Sequence, residues 1–370
     1  MLTESFQTIL DLHVRRYPLM QIQDLVKLAY QAAFAGGHMI DDEATALNWL
    51  QTEFAAIPQP AGSDRTGIDP AAFFEPIGNG LCRIYLQSVP RSGLSLETLN
   101  RFFVLTANRH QGEKAMFEQH LTDLESAVQS GLPLQEPIHP DDLAAWLQAY
   151  RQQDCPAVHH SETYRQAYQP AYRVVRTDFA RFTKLFAAIN GLLQQKQRVT
   201  VAIDGNSGSG KSTLATMIND VYGGNLFHMD DYFLQPHQRT DERLHEVGGN
   251  VDYERFHAEI ITGLASQKPF TYRVYDCKTQ TLGQPAACKP DRLNLIEGVY
   301  SMHPSLRDAY DLKVLLRVDP EQQRRRVLAR SGPDLFKRFI AEWIPMEDRY
   351  FADMKIAEQY DLVFDVSSLS

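Results

Sequence analysis

Residues 199–213 read VTVAIDGNSGSGKST, and this stretch decides the fold of the second half of the chain. Its first five residues are apolar or β-branched, which is typical of a buried strand. The residues from Gly205 to Ser212 then match the pattern Gly-x-x-x-x-Gly-Lys-Ser. Apolar residues follow at helical spacing until two glycines at 223 and 224 interrupt them. The sequence therefore predicts a strand, a glycine-rich loop and a helix in immediate succession.

This predicted loop has the composition of a phosphate-binding site. Glycines at 205, 208 and 210 permit positive φ angles and let backbone N–H groups approach an anion closely. The N-terminus of the following helix adds unpaired N–H groups, Lys211 adds a charge for the β and γ phosphates, and the Ser212 hydroxyl can ligate magnesium. We expect ATP or GTP to bind with Mg²⁺ at Gly205, Asn206, Ser207, Gly208, Ser209, Gly210, Lys211, Ser212 and Thr213.

Composition narrows the class of protein. A chain of 370 residues is more naturally two domains than one. The net charge of −9 and the absence of a long basic run argue against nucleic acid as the main partner. The sequence has no long apolar segment, no secretory signal and no CxxC pair among its four cysteines. We expect a cytoplasmic protein without a membrane partner, with structural free thiols at Cys82, Cys155, Cys277 and Cys288.

The first part of the chain has the periodicity of helices. Apolar stripes at helical spacing begin at Phe6, Leu25, Leu47, Phe117 and Leu143. The glycines of the stretch GNG at 78–80 mark a tight turn. We predict a mainly α-helical domain over 1–155, a connector over 156–175 and a second domain over 176–370.

No motif in the helical domain indicates a chemistry. His13, His38, Glu75 and Asn79 are polar residues that either reach the nucleotide site, contact a second ligand or have a structural role. A helical domain of this kind either closes on substrate or mediates dimerisation. The sequence is therefore compatible with either a monomer or a homo-oligomer.

The second domain alternates short apolar strands with amphipathic helices, which is the signature of an α/β fold. Such strands form a parallel sheet covered by helices on both faces, and ligands then bind at the carboxyl ends of the strands. The predicted fold is thus a P-loop sheet flanked by helices. Its candidate strands are 199–203, 225–229, 271–274, 293–296, 312–318 and 362–364.

Carboxylates follow two of these strands directly. Asp230 and Asp231 come after the second strand, and Glu297 ends the strand at 293–296. An aspartate at this edge can accept the proton of a hydroxyl that attacks the γ phosphate. We assign that role to Asp230, whereas Asp231 either caps a turn or holds water around the metal ion. We expect Ser212 and Glu297 to hold Mg²⁺.

Several short motifs follow one another in the second domain in a fixed order. They are the glycine-rich loop, Asp230-Asp231-Tyr232-Phe233, Tyr275-Asp276, Ile296-Glu297-Gly298 and an arginine-rich stretch after Val318-Asp319. This order resembles the phosphoribulokinase and uridine kinase family of P-loop kinases over roughly residues 176–370. The resemblance implies that Asp230 is the catalytic base. It also implies that Arg324, Arg325, Arg326 and Arg330 lie on a mobile lid, although a solvated arginine face is the alternative.

Within the lid, Arg326 and Arg330 lie four residues apart, so both face the same side of a helix and suit a clamp on the transferring phosphoryl group. We count them as catalytic together with Lys211 and Asp230.

The resemblance also implies a binding site for a small-molecule acceptor. Its candidate residues are Asp230, Tyr232, Asp252, Tyr275 and Asp276. Asp252 is either an acceptor ligand or the cap of the next helix. Uridine kinases usually carry a histidine and an arginine where this chain has Gln280 and Leu282, so another nucleoside, a vitamin precursor or a sugar-like alcohol is also open as the acceptor.

The sequence supports two functions. The first is an ATP-dependent kinase that phosphorylates a hydroxyl of a nucleoside-like metabolite or of a pantothenate-like or sugar alcohol. The second is a nucleotide-binding sensor without an acceptor. Asp230 and the lid arginines favour the kinase, because a sensor needs neither an acceptor base nor a clamp on the transferred group.

Overall fold

The computed structural model describes residues 5–36, 42–57, 73–354 and 356–368, so His38 lies outside the described residues. The chain divides into two compact units, Met1–Ala187 and Ala188–Ser370. The boundary between them lies within the helix Thr183–Gln195.

The first unit is mainly helical and includes a small sheet. Its strands are β1 (Phe74–Gly78), β2 (Leu81–Tyr85) and β3 (Tyr172–Arg176), paired antiparallel in the order β1-β2-β3. Its helices are α1 (Phe6–Arg16), α2 (Ile22–Phe34), α3 (Glu43–Ala56), α4 (Val89–Ser92), α5 (Leu96–Arg109), α6 (Lys114–Ser130), α7 (Pro140–Gln152), α8 (Glu162–Tyr168), α9 (Thr177–Arg181) and α10 (Thr183–Gln195).

The tight turn predicted at 78–80 joins β1 to β2. Gly78, Asn79 and Gly80 have φ angles of 95°, 51° and 68°, so the turn needs residues that tolerate left-handed backbone. The strands on either side were not predicted. Asn-Gly between apolar residues is the signal that indicates this hairpin.

The segment 156–175 differs from the predicted connector. It contains α8 and most of β3, and β3 pairs with β2 over five residue pairs from Leu81 to Tyr85. Tyr164 of α8 is 1% exposed within the core of the first unit. Burial of tyrosine rings, rather than helical periodicity, gives this segment its order, and the first unit continues to Ala187.

A charged group lies buried inside the first unit. Glu75 of β1 is 1% exposed and accepts hydrogen bonds from the Tyr17 and Tyr85 hydroxyls at 2.9 and 2.8 Å. The arginine nitrogens of Arg16 and Arg83 lie 3.4 and 3.6 Å from its oxygens. We call these residues, together with His13, the Glu75 cluster.

His13 lies in this cluster as well, 3.7 Å from Glu75, and its Nε2 bonds the Pro76 carbonyl at 2.9 Å. Burial alone would raise the pKa of Glu75, but His13, Arg83, the Tyr85 hydroxyl and Arg16 together lower it. Of the polar residues singled out earlier, His13 and Glu75 therefore meet in the core, whereas Asn79 is exposed at the hairpin turn.

The second unit confirms the predicted α/β fold. Its central sheet consists, among the described residues, of five parallel strands in the order β12-β11-β4-β10-β5. Six of the seven residues of β4 and all five of β10 are buried, as expected of strands covered on both faces, which explains their largely apolar character. These strands are β4 (Val199–Gly205), β5 (Asn225–His228), β10 (Leu293–Glu297), β11 (Leu312–Arg317) and β12 (Leu362–Asp365).

One predicted strand does not join this sheet. The stretch expected at 271–274 forms β6 (Phe270–Tyr272), which pairs antiparallel with β9 (Ala286–Cys288) in a separate ribbon. No residue of β6 is fully buried, whereas strands in a parallel sheet must be covered on both faces. A second ribbon pairs β7 (Tyr275–Asp276) with β8 (Thr281–Leu282).

The remaining helices surround the sheet. They are α11 (Lys211–Tyr222), α12 (Asp241–His245), α13 (Tyr253–Phe256), α14 (Thr262–Ser266), α15 (Pro320–Arg338) and α16 (Ile344–Asp353). Helix α15 is broken at Gly332, whose φ of 74° and ψ of 170° are not helical. No helix in the described part of the chain has both the length and the apolar character needed to cross a bilayer.

The strand register brings the predicted site residues to one edge. Glu297 at the end of β10 pairs with Ile203 of β4 and with His228 of β5. The glycine-rich loop leaves β4 two residues later, and Asp230 follows β5. The carboxyl ends of three neighbouring strands therefore meet at a single site.

Candidate phosphate and acceptor site

The loop has the backbone geometry that phosphate binding requires. Gly205 has a φ of 147°, and a Cβ atom there would lie 2.3 Å from the Leu316 carbonyl oxygen. Gly210 has a φ of 89° and precedes the first residue of α11. Both positions need glycine, the first for space and the second for its left-handed conformation. The predicted order of strand, loop and helix is thus confirmed.

Lys211 carries a charge that the protein leaves without an ion-pair partner. Its side chain is 8% exposed, and its Nζ donates to the Asn206 carbonyl at 3.0 Å. Burial raises the pKa of Asp204, Asp230 and Glu347, and the charge of Lys211 opposes each of these shifts, but no described carboxylate forms an ion pair with Lys211. The Ser209 hydroxyl is also buried without a hydrogen-bond partner. Both groups fit a site in which phosphate oxygens complete the bonding.

The two predicted magnesium ligands lie next to each other. The Ser212 hydroxyl donates to Glu297 Oε1 at 3.0 Å, and His228 Nδ1 bonds the same oxygen at 2.6 Å. This bond to Glu297 raises the pKa of His228. Glu297 itself is 5% exposed, so its carboxylate is held firmly between the loop and β5.

This pair fits Mg²⁺ better than a transition metal. No cluster of three or more His, Cys, Asp or Glu side chains in the described ranges is arranged to hold a metal ion. Magnesium does not require such a cluster, because it usually binds one or two protein oxygens, phosphate oxygens and water. Ser212 and Glu297 would supply the protein oxygens.

Asp230 occupies the position expected of an acceptor base. It lies in a short 3₁₀ helix, Met229–Tyr232, directly after β5, and its side chain is accessible to solvent. The surrounding walls still desolvate the carboxyl, which raises its pKa; Lys211 and Arg330 oppose that shift, and Glu297 adds to it. Asp231 is half-buried beside it, and desolvation raises its pKa as well.

Arg326 and Arg330 of α15 contact different parts of the second unit. Arg326 donates to the Gly208 carbonyl at 3.2 Å and to the Val366 carbonyl at 2.9 Å, so it braces the loop from outside. Arg330 is exposed, lies 5.7 Å from the Phe339 ring and acts electrostatically on Asp230. The structure therefore places Arg330 towards the predicted transfer site, whereas it places Arg326 on the loop backbone rather than beside Asp230 as a second prong of a clamp.

Two of the predicted acceptor ligands, Tyr232 and Asp252, are buried and bonded within the protein. Tyr232 is 1% exposed, donates to Glu259 at 3.2 Å and packs beneath the Arg255 guanidinium. Asp252 is 2% exposed, caps α13 through the Arg255 amide at 3.0 Å and accepts from Gln238 at 2.9 Å. The capping alternative describes Asp252, since its oxygens are occupied within the protein.

The remaining two candidates belong to the ribbon of β7 and β8. This ribbon contacts the 3₁₀ helix that carries Asp230. Tyr275 is buried, and its hydroxyl accepts from Arg239 at 3.0 Å. Asp276 is exposed and accepts the Lys278 amide at 2.7 Å, which makes it a turn residue. Gln280 lies in the same turn with a φ of 57°.

Sequence reasoning missed Arg239 and Glu347. Arg239 is exposed and reaches the acceptor side through Tyr275. Glu347 of α16 is 3% exposed and accepts from the Ser207 amide at 2.9 Å, from the Ser207 hydroxyl and from Gln323 at 3.2 Å. Burial raises its pKa, although Ser207 opposes the shift. No local pattern indicates Glu347, because 140 residues separate it from Ser207.

A further carboxylate anchors the strand that leads into the loop. Asp204 is fully buried and accepts from the Tyr350 and Tyr360 hydroxyls at 2.7 and 3.1 Å. It also accepts the Gly205 amide at 2.7 Å. The loop is therefore fixed on both sides by residues that come more than a hundred positions later.

The sequence of the chain is similar to those of known uridine kinases over part of its length. No family model matches the chain. It is 26% identical over 187 residues to the uridine kinase of Bacillus subtilis (strain 168), covering 44% of this chain and 87% of that protein. It is 28% identical over 156 residues to the uridine kinase of Limosilactobacillus reuteri (strain DSM 20016), covering 39% of this chain and 69% of that protein.

A solved structure shows a similar pattern of coverage. The structure of a possible uridine kinase from Bacillus stearothermophilus is 24% identical, with 49% of this chain and 100% of that chain covered and a TM-score of 0.37. By the two sequence comparisons, the C-terminal part of the chain, about 45% of its length, is distantly homologous to uridine kinases, and the N-terminal helical region is unmatched.

Proposed function

We propose that the second unit is an ATP-dependent kinase that transfers the γ-phosphoryl group to a hydroxyl of a small, nucleoside-like metabolite. The observation that carries this proposal is Asp230. An accessible carboxyl with a raised pKa lies at the strand edge that also holds Lys211 and Glu297. A site that only sensed nucleotide would have no use for a base in that place.

Each side chain has a distinct task in this reaction. The loop amides and Lys211 hold the β and γ phosphates, and Arg330 offsets the charge on the transferred group. Ser212 and Glu297 would hold Mg²⁺, which supplies neutralisation of the phosphate charge. The oxygen of the acceptor hydroxyl bonds to the γ phosphorus while the bond between that phosphorus and the β–γ bridging oxygen breaks. Asp230 accepts the proton that the hydroxyl loses in this step. The products are ADP and a phosphate monoester.

The acceptor side supports a small polar substrate. Asp230, Asp231 and the Tyr275–Arg239 pair come together where the β7–β8 ribbon contacts the 3₁₀ helix. The base-reading histidine and arginine usual in uridine kinases are replaced by Gln280 and Leu282, so a non-uridine acceptor such as a sugar or pantothenate-like alcohol is part of the proposal.

The test is Mg²⁺-dependent ADP release by the purified chain against nucleosides, sugars and pantothenate-like alcohols. We expect one class to stimulate release above a no-acceptor control. Asp230→Asn should remove that stimulation by roughly 10²- to 10⁴-fold while ATP still binds. Asp241→Asn, at an exposed aspartate of α12, is the matched control.

The pH profile provides a second readout. Because the pKa of Asp230 is raised, the base is lost as the pH falls through a range above the usual carboxyl pKa. We expect kcat/KM to decline on that acid limb. Tight ATP binding with no stimulation by any acceptor would instead support the sensor.

A further inference from the structure

The first unit contains a cavity that the kinase reaction does not use. Its volume is about 460 Å³, within the range of sites for small metabolites. The wall consists mainly of polar and basic side chains, among them Lys27, Gln31, His160, Arg165 and Tyr172. Eight of the nine lining residues have polar or charged side chains, so the pocket can accommodate polar groups of a ligand.

The charge of the wall is positive. Lys27 and Arg165 contribute two cations. Glu53 is the acid of the described lining, and its carboxylate is paired with Arg173 at 2.6 Å. No lining carboxylate of the described residues therefore balances Lys27 or Arg165.

Both cations keep N–H groups for a ligand. Lys27 Nζ donates to the Val158 carbonyl at 2.8 Å, and Arg165 Nε donates to the His160 carbonyl at 3.0 Å. These bonds to carbonyl oxygens fix the two side chains without neutralising them. Within the described ranges, the terminal Arg165 nitrogens and two of the Lys27 hydrogens donate to no protein acceptor. Burial lowers the pKa of Lys27 to about 8, which still leaves it mainly charged at neutral pH.

A directed chain of hydrogen bonds fixes the wall between these cations. Arg83 donates to Gln31 Oε1 at 2.7 Å, and Gln31 Nε2 donates to the Tyr172 hydroxyl at 3.2 Å. The Tyr172 hydroxyl lies 2.7 Å from His160 Nε2, and His160 Nδ1 lies 2.9 Å from Asp24.

The direction of this chain follows from its ends. Arg83 can only donate, and the ionised Asp24 can only accept. His160 therefore carries its proton on Nδ1 and accepts from Tyr172. Burial lowers the pKa of His160 to about 4, consistent with a neutral ring. The wall is thus preorganised before any ligand arrives.

We propose that this cavity binds a small metabolite through an oxyanion, a phosphate ester or a carboxylate, held by Lys27 and Arg165. The guanidinium fork of Arg165 and the ammonium of Lys27 are the donors that suit such oxygens. The second hydrogen of the Gln31 amide, one edge of the same wall, suits a hydroxyl or carbonyl on the body of the ligand. None of the residues that line this cavity belongs to the phosphate loop.

The experiment is calorimetric titration of the full chain carrying Lys211→Ala, so that the phosphate loop contributes little. The probes are inorganic phosphate, glucose 6-phosphate and citrate. We expect saturable binding of at least one probe at a single site. Binding of the phosphates alone assigns the site to phosphate esters, and binding of citrate alone assigns it to carboxylates.

Second substitutions in the same background locate the binding. Lys27→Met should weaken it at least tenfold, and Arg165→Gln, at an exposed side chain that does not threaten folding, should weaken it severalfold. Lys184→Met, at an exposed lysine of α10, should leave it unchanged. The proposal is overturned if no probe binds saturably, or if binding is the same in the Lys27 and Arg165 variants as in their parent.

Discussion

The glycine-rich loop and the Glu75 cluster are both sets of polar groups inside a folded unit, yet they are built in opposite ways. The loop is one contiguous stretch in which Lys211 bonds only the Asn206 carbonyl and pairs with no described carboxylate, and the buried Ser209 hydroxyl has no hydrogen-bond partner among the described residues. The Glu75 cluster draws on α1, β1 and β2, and its carboxylate is bonded by two tyrosine hydroxyls and flanked by two arginines. The difference lies in the charges: the buried cation of the loop has no described carboxylate beside it, whereas the buried carboxylate of the Glu75 cluster has cations of its own chain beside it.

The largest expected effect is the loss of turnover when the glycine-rich loop is changed. Lys211→Ala should lower ATP-dependent turnover by at least about 10²- to 10³-fold, because the phosphates lose a buried cation. The stability of the first unit should not change. Steady-state ADP release and calorimetric ATP binding measure the loss, with Lys184→Ala as the control. Turnover equal to that of the unmodified chain would show that the loop is not the nucleotide site.

The second prediction concerns the Glu75 cluster and the stability of the first unit. Arg83→Met should destabilise the first unit by about 3 to 5 kcal/mol, because it leaves the buried Glu75 carboxylate short of a cation. Nucleotide binding by the second unit should persist. Hydrogen exchange of peptides from α1 and β2 reports on the first unit and that of peptides from β4 and β10 on the second, and Arg91→Met at an exposed arginine is the control. Unchanged protection would mean that Arg83 does not stabilise the cluster.

The third prediction concerns the stability of the first unit at acidic pH. Burial lowers the pKa of His13 and of His160 to about 4, so each binds fewer protons in the folded state than in the unfolded state. The first unit should therefore be fully stable above pH ~6.5 and lose about 1 to 2 kcal/mol per histidine by pH ~5. Hydrogen exchange across this range measures the slope. His160→Gln should make the slope shallower, and an identical slope would exclude His160 as a contributor.

The smallest expected effect lies at the edge of the loop. Glu347→Ala removes an acceptor for the Ser207 amide and hydroxyl, so we expect about tenfold weaker ATP binding, equivalent to one or two hydrogen bonds. Glu342→Ala, at an exposed side chain, should leave the affinity unchanged. Stronger binding in Glu347→Ala would instead mean that the carboxylate repels the phosphates more than it supports the loop.

Sequence reasoning succeeded where the determining residues are close in the chain. The loop, its strand and its helix follow from spacing alone, and the parallel sheet follows from short apolar runs. The position of Asp230 and Glu297 follows from the rule that ligands bind at the carboxyl ends of parallel strands.

Prediction from the sequence failed where the position of a side chain depends on residues that are distant in the chain. Spacing did not indicate that Tyr232 is buried or that Asp252 is buried and caps α13. The stretch at 271–274 has strand composition but no cover for its second face. Glu347 has no local signal at all, since its contact with the loop is set by the packing of α16.

The bonds of Asp204 and Ser207 have a consequence for the order of events during synthesis. The loop emerges from the ribosome long before Glu347, Tyr350 and Tyr360, the residues that hold it in place. A nascent chain that has reached only α11 contains the whole phosphate-binding motif but not its supports. We therefore expect nucleotide affinity to be acquired late in translation, when α16 docks, rather than when the motif itself is complete.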